Sequence, residues 1–298
     1  MVRNRQTDVA GIPEVPFAAP AGTPAGIEVT TLAGLRDRVP AARLAAPQRP
    51  DFHHLLTLTH GSLQHTVDFT DHRLEVGSWL WVRPGQVQQW GDLTQADGTL
   101  VLFQPSVLDS DTATAARLDD PHAPVLHRPL ADDAAALSLG LVHLTREFQA
   151  LGQLPLDIHT ATLRHLLAVL VLRLAHPTTV WESPAPSPDS AFLRFRDAVE
   201  KDFIRTRRVE DYAHALGYSA RTLARACQAT AGVGAKEFID RRVVLEAKRL
   251  LAHSDQSSTR IAAQLGFVGA THFTKYFHQR TGQTPIAFRA TIRDRAPR

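Results

Sequence analysis

The sequence predicts an α+β fold class: a β-rich N-terminal part, a helical pair after it, and an all-α C-terminal part. Three observations indicate this division. Short segments of β-forming residues, separated by turn signals, fill residues 52–104. Residues 132–175 and 209–289 instead carry apolar residues at helical spacing. The length of 298 residues suits about two domains.

The N-terminal part is predicted to form a sandwich or small barrel. Residues 1–26 are rich in Pro, Ala and Gly and are expected to be irregular. A short helix is predicted over residues 31–39, and residues 40–51 are again irregular. The β-forming segments follow one another at the short intervals typical of all-β domains. The predicted strands are residues 52–60, 62–69, 72–76, 78–82, 87–90 and 99–104.

Two helices are predicted between residues 131 and 176, with Gly152 and Pro155 marking the turn between them. The second helix carries leucines at 4-3-4 spacing, namely Leu163, Leu167, Leu170 and Leu174. This apolar seam suits an antiparallel helix pair, within one chain or across a dimer. Packing onto the sheet of the same N-terminal domain fits the pattern equally well. The prolines that follow make residues 177–189 a semi-rigid linker.

One pattern occurs twice in the C-terminal part. The sequence AHALGY at residues 213–218 is followed by TLAR at 222–225, and AAQLGF at 262–267 is followed by HFTK at 272–275. The first halves of the two copies are 49 residues apart and the second halves are 50 apart, so the second copy has one inserted residue. Such internal duplication predicts two copies of one structural unit.

Each copy is predicted to form a helix, a tight turn and a second helix. Gly217 supplies the left-handed residue that ends a helix, and Ser219 can cap the helix that follows. The inward positions of the two second helices are Leu223 and Cys227, and Phe273 and Phe277. The outward positions are Arg221, Arg225 and Gln228, and Thr271 and Lys275. Because Arg can bind guanine and Gln can bind adenine, these outward faces suit contacts to bases and phosphates.

Charge and spacing both favour duplex DNA as the partner. Residues 190–298 hold 20 Lys and Arg against 10 Asp and Glu, a net +10, whereas residues 1–189 carry a net −7. A basic segment joined to an acidic remainder is typical of a nucleic-acid-binding domain attached to another domain. Residues 236–253 are predicted to form a connecting helix of roughly 27 Å. Such a helix can hold two recognition helices about one DNA turn, ~34 Å, apart.

These residues resemble the DNA-binding domain of the AraC/XylS family of bacterial transcription regulators. The closing Gly282-Gln-Thr-Pro-Ile-Ala-Phe-Arg289 is similar to that family's Gly-x-x-Pro-x-x-[Phe/Tyr]-Arg ending, and the Gly266-Phe267 pair also matches. The resemblance implies a DNA-binding domain over residues 190–298, with promoter DNA and RNA polymerase as partners. The predicted DNA-binding residues are Arg221, Thr222, Ala224, Arg225, Gln228, Ala270, Thr271, His272 and Lys275. The two alanines can offer only apolar contact, for example to a thymine methyl group.

The segment around Pro84-Gly-Gln-Val-Gln88 resembles a Pro-Gly-x-x-His segment of cupin-like sensor domains. The resemblance implies an effector-sensing domain over residues 1–130, followed by a dimerisation segment over residues 131–176. The residues predicted to bind the effector are His54, His65, Trp81 and Gln88. Gln88 replaces the histidine of cupin metal sites, and the adjacent His53 and His54 must point to opposite faces of a strand. No metal and no cofactor are therefore predicted.

The sequence thus predicts a cytoplasmic, homodimeric transcription regulator, controlled by a small-molecule effector of unknown identity. There is no run of 18 apolar residues that would predict a membrane span, and the first residues do not resemble a signal peptide. No nucleophile–base motif or Gly-rich phosphate loop is found, so no catalytic residue is predicted. Two alternatives stay open. One is an effector-independent regulator whose N-terminal domain only dimerises, and the other is a cupin enzyme fused to a DNA-binding domain.

Overall fold

The computed structural model describes residues 12–18, 26–120, 123–176 and 190–294. The chain divides into two compact units, built mainly from residues 13–179 and 180–295. The first is rich in β-strands and the second is entirely helical in its described residues, which confirms the predicted fold class. The predicted linker, residues 177–189, and most of the predicted irregular N-terminus lie outside the described residues.

The first unit forms all six predicted strands. Thr31 caps the predicted short helix, because its hydroxyl accepts a hydrogen bond from the Gly34 amide at 3.0 Å. A strand that precedes this helix was not predicted, and residues 40–51, predicted to be irregular, contain a short helix and a short strand. The elements are β1 (Glu14–Val15), β2 (Ile27–Thr31), α1 (Leu32–Arg38), α2 (Ala41–Ala45), β3 (Arg49–Pro50), β4 (His53–His60), β5 (Ser62–Val67), β6 (Thr70–Glu75), β7 (Trp79–Val82), β8 (Gln88–Trp90), β9 (Asp97–Phe103), α3 (Ser110–Ala115), β10 (Leu126–His127), α4 (Ala131–Gln149) and α5 (Leu156–Ala175), with a 3-10 turn at Pro105–Val107.

Two antiparallel sheets form the body of this unit. The larger sheet has the strand order β10-β7-β4-β9-β2, and the smaller has the order β6-β5-β8. A further short parallel pair joins β1 to β3. Alternate residues of both sheets share one buried core, which includes Leu56, Leu80 and Leu100 from the larger sheet and Leu63 and Trp90 from the smaller. The two sheets therefore pack face to face, as in a sandwich.

The other face of the larger sheet is covered by the helical pair. Leu55, Trp81 and Val101 point to this face and share a core with α4 and α5. The leucine seam of α5 is between 0% and 2% exposed here, so it packs onto the sheet of its own chain and leaves nothing for a second copy. In length and composition α5 could cross a membrane, but its apolar seam is buried in this core.

The second unit contains seven helices in the residues that the structure describes. They are α6 (Ser190–Asp202), α7 (Val209–Leu216), α8 (Ala220–Ala231), α9 (Ala235–His253), α10 (Ser258–Gln264), α11 (Ala270–Thr281) and α12 (Pro285–Asp294). Helices α7 and α8 form the first predicted copy, and α10 and α11 the second, with α9 as the predicted connector. Gly217 and Gly266 end the first helix of each copy, both with φ of 71°. The duplication in the sequence is thus a duplication of backbone structure.

Candidate nucleic-acid interface and effector cavity

The buried residues of α8 determine which side of the helix faces outward. Leu223, Ala226 and Cys227 are at most 1% exposed, as predicted for Leu223 and Cys227. Burial raises the pKa of the Cys227 thiol to about 12, so the thiol stays protonated at neutral pH. The remaining side of the helix leaves four of the predicted contact residues exposed, namely Arg221, Ala224, Arg225 and Gln228.

The fifth predicted residue of α8 has a structural role at the start of the helix. The Ser219 hydroxyl accepts a hydrogen bond from the Thr222 amide at 3.0 Å, and the two hydroxyls lie 2.8 Å apart. Thr222 is half-buried in this cap. Because a capped helix start has a fixed position, the predicted contact residue Arg221 is held on a well-defined first turn, and Arg225 lies one turn further along the same face.

Helix α11 presents the corresponding face in the second copy. Phe273, Tyr276 and Phe277 are buried, which leaves the predicted contact residues Thr271, His272 and Lys275 exposed. The His272 ring meets the edge of Phe267 at a centroid distance of 5.5 Å. Ala270, the last predicted contact residue, is half-buried at the first position of the helix.

Two exposed residues of the second copy were not predicted from the sequence. His278 lies on the same side of α11 as Lys275, and it is exposed. The repeat could have predicted it, because the 50-residue offset between the two copies aligns His278 with Gln228, a predicted contact residue of the first copy. Val268 lies in the turn before α11, where the second copy has its inserted residue, and it is 99% exposed.

The cations of the two outward faces are not neutralised by any residue that the structure describes. In the described residues of this unit, Arg221, Arg225 and Lys275 have no acidic partner. The connecting helix behaves differently, since Arg241 pairs with Glu237 at 2.6 Å and Arg242 pairs with Glu200 at 2.7 Å. The outward faces therefore combine exposed positive charge with helical rigidity.

Three of the four predicted effector-binding residues meet inside the sandwich of the first unit. The Nε2 atom of His65 lies 3.2 Å from Oε1 of Gln88, and Nε2 of Gln88 lies 3.4 Å from Nδ1 of His54. All three side chains are buried. Trp90 adds an aromatic wall, with its ring edge-on to His65 at 4.5 Å. Burial lowers the pKa of both histidines to about 3, so both are neutral at pH 7.

The fourth predicted effector residue, Trp81, lies on the opposite face of the larger sheet. Its register partner is Leu55, so it shares a face with Leu55 and not with His54. Its indole Nε1 donates a hydrogen bond to Nδ1 of His53 at 3.3 Å. His53 and His54 thus point to opposite faces, as the strand pattern predicts. In the described part of the chain, no group of three His, Cys, Asp or Glu residues is close enough to hold a metal ion.

A cavity of about 270 Å³ lies next to His54 and is called the His54 cavity below. Most of its lining is apolar and includes Val15, Phe17, Leu35, Leu44, Phe52 and Trp90. Phe17 closes one side, since its ring meets Phe52 edge-on at 5.3 Å. A second cavity of about 460 Å³ shares the lining residues Val39, Leu44 and Trp90. Apolar walls with a few polar groups are typical of small-molecule sites.

Comparison with known proteins places the repeat in a family. A family model for a helix-turn-helix domain matches residues 212–291. The regulatory protein PocR of Salmonella typhimurium is 32% identical over 120 residues, which cover 40% of this chain and 39% of PocR. The transcriptional activator RhaS of Klebsiella pneumoniae is 27% identical over 143 residues, which cover 48% of this chain and 51% of RhaS. The second unit is an AraC-type helix-turn-helix domain.

The chain thus spans between about two fifths and half of the length of these relatives. A crystal structure of ToxT from Vibrio cholerae covers 90% of this chain and 96% of its own, at 11% identity and a TM-score of 0.39. The matches to PocR and RhaS each cover less than half of this chain.

A buried polar cluster fixes α11 within the AraC-type domain. Asp240 of α9 accepts hydrogen bonds at 2.6 Å from the Tyr276 hydroxyl and at 2.6 Å from Nη2 of Arg280, and it also binds Lys236. The Arg280 guanidinium stacks over the Tyr276 ring at 3.7 Å. Burial alone would raise the pKa of Asp240, but the hydrogen bonds from Lys236, Tyr276 and Arg280 outweigh it and lower the pKa.

The two copies of the AraC-type domain are also joined directly. Arg207, in the loop before α7, donates a hydrogen bond to the Leu265 carbonyl and stacks over the Phe267 ring at 3.7 Å. In the same loop, the Ile204 carbonyl approaches Gly266 so closely that a Cβ atom there would stand 2.1 Å from its oxygen. The loop of the first copy therefore rests on the turn of the second.

Proposed function

We propose that this chain is a cytoplasmic, sequence-specific DNA-binding transcription regulator and not an enzyme. The observation that carries the proposal is the pair of exposed helix faces in an AraC-type domain whose cations, Arg221, Arg225 and Lys275, have no acidic partner among the described residues. The similar proteins PocR and RhaS are described as a regulatory protein and a transcriptional activator, which supports the same role. We further propose that the two faces enter successive major grooves of promoter DNA, and that RNA polymerase is a partner.

The protein's own DNA site is needed before any contact can be measured. Sequencing of genomic fragments captured by the full-length protein at near-physiological salt is expected to enrich one site of about 20 base pairs, the length that two successive major grooves require. If no site is enriched, even after cell extract supplies a missing effector, the proposal is wrong.

Arg225→Ala and Lys275→Ala are expected to weaken binding to that site. A lost base contact should cost about 1–3 kcal/mol and relax sequence preference at one position, whereas a lost phosphate contact should lower the salt dependence. Fluorescence anisotropy on the captured site, at several salt concentrations, measures both. Arg241→Ala is the matched control, because it removes the same charge from an exposed pair on α9. Equal affinities of all three variants and the parent would exclude these faces as the DNA contacts.

We propose that a small-molecule effector binds in the β-rich unit and changes DNA binding by a population shift. An effector that binds one conformation better than another must change their populations. The predicted residues His54, His65 and Gln88 border or support an apolar cavity, which supports this role. Trp81 lies on the other face of the sheet, where it packs with the helical pair and does not line the cavity.

We also propose that the chain forms a homodimer through the outer face of the 131–176 segment. The leucine seam is used within the chain, but Leu139 and Val142 of α4 are 64% and 49% exposed one helical turn apart. Val169 of α5 is also exposed, at 47%. Exposed apolar side chains on neighbouring helices suit a self-complementary two-fold contact between copies.

Leu139→Glu is expected to convert the dimer to a monomer, because a charge placed in an apolar interface loses its hydration without gaining a partner. Light scattering coupled to size-exclusion chromatography gives the mass directly. Leu151→Glu is the control, since Leu151 is 46% exposed but lies in the turn after α4. A parent protein that is monomeric at micromolar concentration, or a Leu139→Glu variant that stays dimeric, would refute this interface.

A further inference from the structure

We propose that the His54 cavity takes an uncharged, largely apolar small molecule bearing a carbonyl-type acceptor, and that His54 donates a hydrogen bond to that acceptor. The inference rests on the proposed effector role of this cavity and states the chemistry by which the ligand is recognised. It makes His54 the residue that selects the ligand, with Gln88 and His65 as positioning residues behind it.

With the Gln88 amide oriented as it is in this structure, its two hydrogen bonds assign the proton of His54 to one ring nitrogen. The amide nitrogen of Gln88 can only donate, so Nδ1 of His54, 3.4 Å away, accepts. A neutral imidazole with an accepting Nδ1 carries its proton on Nε2. The amide oxygen of Gln88 can only accept, and Nε2 of His65 donates to it at 3.2 Å. The relay from His65 through Gln88 therefore presents His54 as a donor at Nε2.

That donor has nothing to bind within the described part of the protein. The His54 side chain is buried, at 6% exposure, and its Nε2 atom has no hydrogen-bond partner there. Buried donors are almost always paired in native proteins, because an unpaired donor loses its hydrogen bonds to water and gains none from the protein. Since His54 also lines the cavity, an acceptor on a molecule inside that cavity is the natural partner.

The surroundings favour a neutral ligand. Burial keeps the His54 pKa at about 3, so no positive charge meets the acceptor at pH 7. The Arg38 guanidinium that lines the same cavity is already paired with Glu28 at 2.5 Å, and Arg43 is exposed to solvent. An ionised carboxylate next to His54 would lose its hydration without gaining a countercharge there.

The shape of the cavity limits the size of the ligand. Phe52 stacks on the His54 ring at a centroid distance of 4.7 Å, and Trp90 stands at 6.4 Å from it, so the cavity is aromatic on both sides of His54. A volume of about 270 Å³ is at the small end of ligand sites, which suits a molecule with a single ring. A longer ligand would extend past Trp90 into the adjoining cavity of about 460 Å³.

The test uses three small probes of matched shape on the full-length protein. Acetophenone carries a ring and a carbonyl, isopropylbenzene has the same shape without an acceptor, and benzoate has a charged acceptor. Titration calorimetry is expected to give acetophenone a Kd at least about tenfold below that of isopropylbenzene, the size of one buried hydrogen bond. Benzoate is expected to bind more weakly than acetophenone. Equal binding of the two neutral probes, tighter binding of benzoate, or no binding by any probe overturns the proposal.

Two further measurements separate the role of His54 from simple folding effects. His54→Phe, which keeps the ring, is expected to remove the preference for acetophenone while leaving isopropylbenzene bound. Long-range nitrogen–proton NMR spectra of the parent protein report the tautomer without any substitution. A proton found on Nδ1 of His54 overturns the proposal even if the variant does not fold.

A DNA-binding measurement on the same protein separates a failure of this inference from a failure of the proposed function. DNA affinity is measured on the captured site with and without acetophenone. Selective acetophenone binding that leaves DNA affinity unchanged would support the cavity chemistry and refute the effector role. Intact DNA binding with no preference among the probes would refute only the cavity chemistry.

Discussion

Gly266→Ala is expected to destabilise the AraC-type domain by about 3 kcal/mol or more. Two costs combine at this position. The backbone has φ of 71°, a left-handed conformation that strains any residue with a Cβ atom. In addition, the new Cβ would stand 2.1 Å from the carbonyl oxygen of Ile204, and this neighbour is backbone that cannot rotate away. Thermal or denaturant unfolding of the full chain, followed by circular dichroism, measures the loss.

Gly217→Ala separates the two costs. Gly217 occupies the same place in the first copy, with the same φ of 71°, but a Cβ atom added there would meet no atom within 4 Å in the described part of the chain. Only the backbone strain remains there, so a loss of about 1 kcal/mol is expected. Equal losses for the two variants would show that the loop before α7 does not rest on Gly266.

Asp240→Ala is expected to cost about 3 kcal/mol, because it leaves the buried Tyr276 hydroxyl and the Arg280 guanidinium without their acceptor. Arg280 is part-exposed, and water can solvate it after the change, which keeps the loss below that of a fully buried pair. The cluster positions α11, so weaker binding to the captured DNA site is expected as well. Chemical denaturation and fluorescence anisotropy measure the two effects on the same protein.

Glu237→Ala is the control for Asp240→Ala. It removes an ion pair of the same i,i+4 spacing from the same helix, but both partners are more than half exposed. Exposed pairs contribute little, so a change within about 0.5 kcal/mol is expected.

Folding lowers the pKa of Asp240. The stability that Asp240 contributes is therefore present above its unfolded pKa and is lost as pH falls through its folded pKa. A parent and an Asp240→Ala variant that differ equally in stability at neutral and strongly acid pH would contradict this account.

Local patterns predicted most of the fold, and long-range pairing accounts for what they missed. The strands β4 to β9 each have β-forming residues bounded by turn signals, so they were visible in the sequence. Strand β2, Ile27–Thr31, follows Gly26 but runs directly into α1 without a turn signal, and it pairs with β9 along its whole length. The leucine seam of α5 could be recognised, but whether it met a sheet or a second copy depends on contacts that no local pattern contains.

In the candidate sites too, local patterns predicted some features and long-range contacts determined the others. Helical periodicity placed Arg225 and Lys275 outward correctly, because the inward face of a helix is determined by nearby apolar residues. Alternation along β4 separated His53 from His54, but the side taken by Trp81 depends on its register with Leu55 in another strand. The Asp240 cluster was missed because Tyr276 lies 36 residues away in the sequence.

The contact of Arg207 and Ile204 with the turn at Gly266 bears on how the AraC-type domain opens. Native proteins open in cooperative units, whose limits are set by the contacts that must break together. The second copy cannot separate from the first without exposing the Arg207 guanidinium and the Phe267 ring that it covers. We therefore expect the two copies, despite their origin as a repeat, to open and close together as one foldon.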